Sequence, residues 1–272
     1  MPGVGDLAAK AMKSIVMMRV TVCETPHDPA LIDASWAALC THTKQQDTEV
    51  LVLPEFSFLM PLWVDKEFDP DTWQTELIAA QRWLGRMPEL QCEYVIGAFP
   101  VTEDRTRFNL GFLWSASGGY ASLRRKCFLP NQPGGWEARW FARGDPDFPA
   151  FQAGEMSFGL NICTELWALE TYGKYAAMGI HAIVSPRATA TATIDKWLST
   201  GKVAAVRAGA YSLSSNRVHA DGSCGGVGWI IDPDGLVLAT TSASEPFVTR
   251  ELSLELCASA KSTYPRYAFE EP

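Results

Sequence analysis

The sequence predicts an α/β protein: apolar runs of strand length alternate with segments whose apolar residues recur at helical spacing, and the composition is that of a chain with a large core. Of 272 residues, 47% are hydrophobic and 20% charged, a balance that fits neither disorder nor a coiled coil. A chain of this length can bury its core as one α/β domain. We read residues 14–272 as that domain, with residues 1–13 as an N-terminal segment outside it.

Taken in order, Ile15 to Val22 reads as the first strand. Leu31 to Thr43 then sets Leu31, Ala34, Ala38 and Leu39 on one helical face. The strand Val50 to Leu53 runs into Pro54-Glu55, and Trp73 to Leu84 repeats the helical pattern, with Asp33 and Asp71 as first-turn acids of the two helices. Tyr94 to Phe99, Leu110 to Trp114 and Tyr120 to Leu123 read as strands. Asn131 to Pro149 is rich in Pro and Gly but carries Trp136, Trp140 and Phe141, which a solvated linker does not need, so it reads as an ordered loop beside a site. Phe158 to Ile162 leads into Cys163 and a helix from about Leu166 to Met178, closed by Gly179. Ala182 to Val184 and Trp229 to Ile231 are strands, the second joined to Leu236 to Thr240 by a Pro-Asp-Gly turn. No internal repeat or low-complexity linker interrupts the pattern.

Twenty-three basic against 31 acidic residues leave a net charge of −8, which disfavours nucleic acid and anionic membranes as partners. The seven cysteines are odd in number and contain no CxxC, so a disulfide framework is not expected and a reducing, cytoplasmic compartment is. The apolar run Ser14 to Met18 is too short for a signal core or a membrane span. The four histidines supply no metal spacing, and Gly222, Gly225, Gly226 and Gly228 precede a strand where a phosphate-binding loop would precede a helix. We expect no metal and no cofactor.

Cys163 falls at a strand-to-helix turn, where unpaired N–H groups and the positive helix end favour a thiolate and the Thr164 N–H can meet an oxyanion. The bland alternative is a small buried hydrophobe. Glu55 closes an apolar strand at the edge where α/β proteins place ligand sites, and it reads as a general base or as a surface cap. Lys126 ends the only basic run, Arg124-Arg125-Lys126, and reads as an oxyanion partner or as a solvated edge. Glu137 lies among Trp136, Trp140 and Phe141, so it needs a polar partner unless it is a rim residue. Arg187 ends the strand after Ser185-Pro186 and could hold a substrate carboxylate, or pair with Glu165 or Glu170.

In chain order, Leu-Pro-Glu55, Arg-Lys126, Trp-Glu137 and Asn-Ile-Cys163 resemble the nitrilase superfamily of carbon-nitrogen hydrolases. The block Glu137-Ala-Arg-Trp-Phe-Ala-Arg-Gly-Asp145, with Phe148 and Phe151, is similar to the amidase and N-carbamoyl amidohydrolase branches. Val184-Ser-Pro186, Trp197, Arg207-Ala208 and Ser215-Asn216 follow in the family's order, so the likeness runs from about Val16 to Glu255. Three departures stand out. Thr164-Glu165 follows the cysteine where those branches carry Trp or Tyr, Ala210 replaces a usual Glu, and the long C-terminal extension of true nitrilases is missing.

The resemblance implies an αββα sandwich of two mixed sheets flanked by helices, usually paired into homodimers through helices near the nucleophile. It implies Cys163 as nucleophile, Glu55 as proton carrier, Lys126 and the Thr164 N–H at the oxyanion, and Glu137 orienting Lys126. The expected activity is hydrolysis of a small amide or N-carbamoyl compound through a thioester, without a cofactor. Arg187, Trp136 and Trp167 are candidate substrate contacts, with Trp140 sharing an aromatic wall. The alternatives are nitrile hydrolysis on the same site, a Cys/His hydrolase or acyltransferase, and a non-catalytic binding member.

Overall fold

In a computed structural model that describes residues 16–269, the elements in chain order are β1 (Met17–Pro26), α1 (Pro29–Gln45), β2 (Val50–Glu55), α2 (Pro70–Arg86), β3 (Tyr94–Glu103), β4 (Thr106–Ser115), β5 (Gly119–Arg125), α3 (Glu137–Trp140), β6 (Phe151–Ala153), β7 (Met156–Leu160), α4 (Glu170–Ala177), β8 (Ala182–Arg187), α5 (Ile194–Ala208), β9 (Tyr211–Val218), β10 (Trp229–Ile231), β11 (Val237–Thr240), β12 (Phe247–Ser253) and α6 (Leu254–Lys261). The expected N-terminal segment, residues 1–13, lies outside the described residues.

The strands form two mixed sheets that share β1. Its first part pairs with β12 and β2, and the sheet continues through β3, β4 and β5, while Glu24–Pro26 turn to pair with β9, which leads to β8, β7 and β6. Period-two alternation decides what each residue covers. Val50 and Val52 face inward, in one cluster with Phe158, Leu160, Val184 and Leu213 of the second sheet. Leu51 and Leu53 face outward, onto Trp36 and Leu39 of α1 and Trp73, Ala80 and Trp83 of α2. On the far side α5 packs Ala204, Ala205 and Ala208 against the second sheet. The layers are therefore helix, sheet, sheet, helix, the α/β sandwich that the resemblance implies.

Both outer helices start on Asp-Pro. Asp28 caps α1 through the Ala30 N–H, and Asp69 caps α2 through the N–H groups of Asp71 and Thr72. Asp71 is a first-turn acid as expected, but Asp33 is not. It lies beyond the first turn of α1 and faces Arg82 and Arg86 in exposed pairs worth little to stability. The helix expected from Leu166 to Met178 is broken into a 3-10 turn, Cys163–Trp167, and α4, closed by Gly179 at φ +69°. The Pro-Asp-Gly hairpin forms as expected, with Asp232 Oδ1 accepting from the N–H groups of Asp234 and Leu236. Among the described residues no helix is long and apolar enough to cross a membrane.

Candidate active site

The ends of three strands and the start of α3 deliver the four expected residues to one place. Glu55 is the last residue of β2, Lys126 follows β5 directly, Glu137 opens α3, and Cys163 comes three residues after β7. Lys126 Nζ donates to Glu55 Oε1 at 2.8 Å and to Glu137 Oε1 and Oε2 at 2.9 and 2.7 Å. Lys126 is fully buried, and Glu55, Glu137 and Cys163 are no more than 5% exposed. Glu137 thus has the partner its aromatic setting demands. Cys163 sits at φ +50°, a left-handed conformation unusual for a residue with a Cβ, which is a form of strain that clusters at functional turns.

Several residues hold this arrangement that the sequence did not single out. Asn109 Nδ2 donates to Glu55 Oε1 at 2.7 Å, so Oε1 takes both donors and Oε2 is left for other work. The backbone of Lys126 is clasped on both sides: its N–H reaches Asn109 O, and its carbonyl accepts from Gly144 N–H. Only glycine fits at 144, because a Cβ there would collide with the backbone of Arg125. Buried Arg124 and Glu165 form a two-pronged ion pair, Nη1 with Oε2 and Nη2 with Oε1. Glu165 also accepts from the N–H groups of Cys127 and Ile162, tying the residue after Lys126 to the one before Cys163. The available signals were a polar Asn109 inside an apolar strand and the acid two residues after Cys163.

The electrostatics amend one expectation. Burial pushes the Cys163 thiol upward, the carboxylate of Glu55 adds to the rise, and Lys126 only partly opposes it. The resting site therefore favours a thiol over the expected thiolate, because burial and the two carboxylates together outweigh the pull of Lys126. Burial alone would lower the Lys126 ammonium, but Glu137 and Glu55 outweigh it and the net direction is up. Glu137 is pushed up to about 7 by burial, with Lys126 pulling the other way.

Thr164 lies in the first turn after Cys163, where leading N–H groups lack helical partners. Arg187 is fully buried, and each of its nitrogens already donates inside the protein: Nε to Ser214 Oγ, Nη1 to Thr189 Oγ1 and Nη2 to Val227 O. Its guanidinium lies 4.0 Å from the ring centre of Trp229. The alternative pair with Glu165 does not form, because Arg124 takes that carboxylate. Trp136 is half-buried beneath Lys66, and Trp167 is exposed and leans on Trp197. Trp140 is no pocket wall: it is buried in the outer core, with Nε1 donating to Asp65 O. Among the described residues no group of three or more His, Cys, Asp or Glu is arranged to hold a metal ion.

The family model for carbon-nitrogen hydrolases matches residues 19–262. A search of the curated proteins found no match. Among solved structures, the chain is similar to a carbon-nitrogen hydrolase from Helicobacter pylori, with TM-score 0.83 and 18% identity over 94% of this chain and 96% of that one. It is similar to Saccharomyces cerevisiae Nit3, a member of branch 10 of the nitrilase superfamily, with TM-score 0.74 and 19% identity over 92% and 94%. A mutant amidase from Nesterenkonia sp., bearing the acetamide moiety of fluoroacetamide on its active-site cysteine, gives TM-score 0.69 and 18% identity over 89% and 92%.

Proposed function

The chain belongs to the carbon-nitrogen hydrolase family, and on that footing we propose that it cleaves the C–N bond of a small linear amide or N-carbamoyl compound through a thioester on Cys163. The observation that carries this reading is the buried ammonium of Lys126 held between the carboxylates of Glu55 and Glu137, with the Cys163 thiol in the field of all three.

An amide carbonyl is a poor electrophile, so the reaction needs a strong nucleophile and a stabilised oxyanion. Glu55 Oε2 takes the thiol proton as the sulfur attacks the carbonyl carbon, so the thiolate exists only during attack. Lys126 Nζ and the Thr164 N–H hold the oxyanion. As the tetrahedral centre collapses, the C–N bond breaks and the proton on Glu55 passes to the nitrogen, which leaves as ammonia or an amine. Glu55 then removes a proton from water, whose oxygen attacks the thioester, and returns it to the departing sulfur. Glu137 keeps Lys126 in place and tempers its charge. The burial of the four residues suits a small acyl group.

A Cys/His mechanism has no such support. His181 bonds Ser157, His42 bonds Thr249, and His27 stacks on His219. The test is intact-protein mass spectrometry after mixing with a library of small amides. An acyl adduct should appear on Cys163, persist longer in Glu137→Gln, and vanish in Cys163→Ala. Turnover should fall by about 10⁴-fold or more in both Cys163→Ala and Glu55→Gln. Turnover retained by Cys163→Ala would overturn the thioester, and turnover retained by Glu55→Gln would overturn the proton carrier.

A further inference from the structure

We infer that Arg217, with Thr25 and His27 beside it, forms an anion subsite next to Glu55, and that the substrate carries a carboxylate that binds there. The word substrate rests on the amide-hydrolase reading above; the binding of the anion does not.

Arg217 is the penultimate residue of β9 and is fully buried. Its Nη2 donates to the carbonyl of Leu59, in the turn that follows Glu55, but among the described residues Nε and Nη1 have no partner. A buried guanidinium left this way is costly unless a ligand completes it. The orphans continue across the sheet. Thr25 stands in register opposite Arg217, and its Oγ1 is buried without a partner among the described residues. Two residues on, His27 Nδ1 is also buried with no partner among the described residues, its ring stacked on His219 at 4.1 Å. Three adjacent side chains thus leave four polar atoms unmet at the strand ends that carry the site.

The chemistry of these groups selects the ligand. Burial brings the Arg217 guanidinium down to about 10, which leaves it cationic at neutral pH. Burial, and then the charge of Arg217, lower the His27 imidazole to about 4, so the ring is neutral and can offer an Nδ1–H. One cation and two neutral donors match the lone pairs of one carboxylate. A dianion such as phosphate fits poorly, because the Glu55 and Glu76 carboxylates also act on Arg217. Arg187, whose three nitrogens are all engaged and whose face is covered by Trp229, is the worse candidate for this role.

A purely structural Arg217 would only pin the turn at Leu59, where Phe56 and Phe58 both take left-handed conformations. The experiment separates the two roles by calorimetric binding to the Cys163→Ala protein, comparing the half-amide of succinic or glutaric acid with the corresponding neutral diamide. The half-amide should bind about 10- to 100-fold more tightly. Arg217→Gln in the same background should bring that ratio close to one, and Arg217→Lys should restore part of it. A ratio near one in Cys163→Ala alone, or the same ratio after Arg217→Gln, overturns the subsite. If Arg217→Gln does not fold, Arg217→Lys still decides: its ratio must fall below that of Cys163→Ala, and an unchanged ratio overturns the proposal. Independently, the His27 imidazole should titrate at higher pH with the half-amide bound than without it, and no movement counts against the subsite. Half-amide binding that depends on Arg217 in a chain that hydrolyses no amide would sink the hydrolase reading alone. Hydrolysis of neutral amides with a ratio of one would sink the subsite alone.

Discussion

At the scale of single residues, Glu137 carries a pH signature. Its carboxyl is pushed up to about 7, first by burial, so folding favours the protonated acid over the free one. The contribution is fully present below the ordinary carboxyl range near 4.5 and is lost as pH rises through about 7. The difference in Tm between the native chain and Glu137→Gln should therefore shift against the native chain between pH 5 and pH 8, measured by thermal scans at matched ionic strength. A difference that stays flat would contradict the raised carboxyl. Glu137 was also legible beforehand: a carboxylate among aromatics demands a partner, and Lys126 is that partner. Glu55 and Cys163 were legible because each directly ends or follows an apolar run, and Lys126 because it closes the basic run at the end of β5. Arg217, Thr25 and His27 could not. Their meaning lies in hydrogen bonds left unmade, and no spacing along the chain encodes which donors will go without acceptors.

At the scale of elements, the Arg124–Glu165 pair is the tie between the end of β5 and the turn that presents Cys163. Both partners are buried, and Glu165 also serves the N–H groups of Cys127 and Ile162. Arg124→Met leaves a buried carboxylate without its counter-ion and should cost about 3–5 kcal/mol in urea unfolding. Replacing Glu165 by Met as well should not recover that loss, because two backbone donors then lose their acceptor. A cost below about 1 kcal/mol for Arg124→Met would show that the tie holds nothing. Elements were unevenly legible. The hydrophobic runs foretold β2, β3 and β7, but β9, which bridges the two halves of the sheet system, was seen only as the Ser-Asn pair of the resemblance. Its sequence, Tyr-Ser-Leu-Ser-Ser-Asn-Arg-Val, looks polar yet is almost wholly buried. Ser212 accepts from Trp229 Nε1, Ser214 bonds Ser185 O and Arg187, and Ser215 bonds Val52 O and Cys23 N–H. Side-chain hydrogen bonds between strands replace apolar contact there, and hydrophobic periodicity carries no record of them.

At the scale of the molecule, two sheets joined through β1 bring strand ends and the first residue of α3 together at the site, while the turn that leads into α4 and the outer side of α5 carry an apolar face outward. Trp167 is 45% exposed, Leu169 52% and Val203 51%, and they lie together with Lys196, Ser199 and Thr200 between them. Large apolar side chains gathered on one face mark a contact surface more often than a solvated one. The face also connects inward, since the Trp167 ring leans on Trp197 at 5.2 Å and Trp197 flanks Arg187, whose charge lies within reach of Cys163. We expect the chain to pair with a second copy through this face, in keeping with the homodimers through helices near the nucleophile that the resemblance implies. Light scattering should then give about twice the 29.9 kDa of one chain. Val203→Glu and Leu169→Glu each place a charge on the patch without touching the core, so either should shift the mass toward the monomer while thermal unfolding stays cooperative. A native mass of one chain would exclude the pairing, and a dimer unmoved by both substitutions would place its interface elsewhere on the surface.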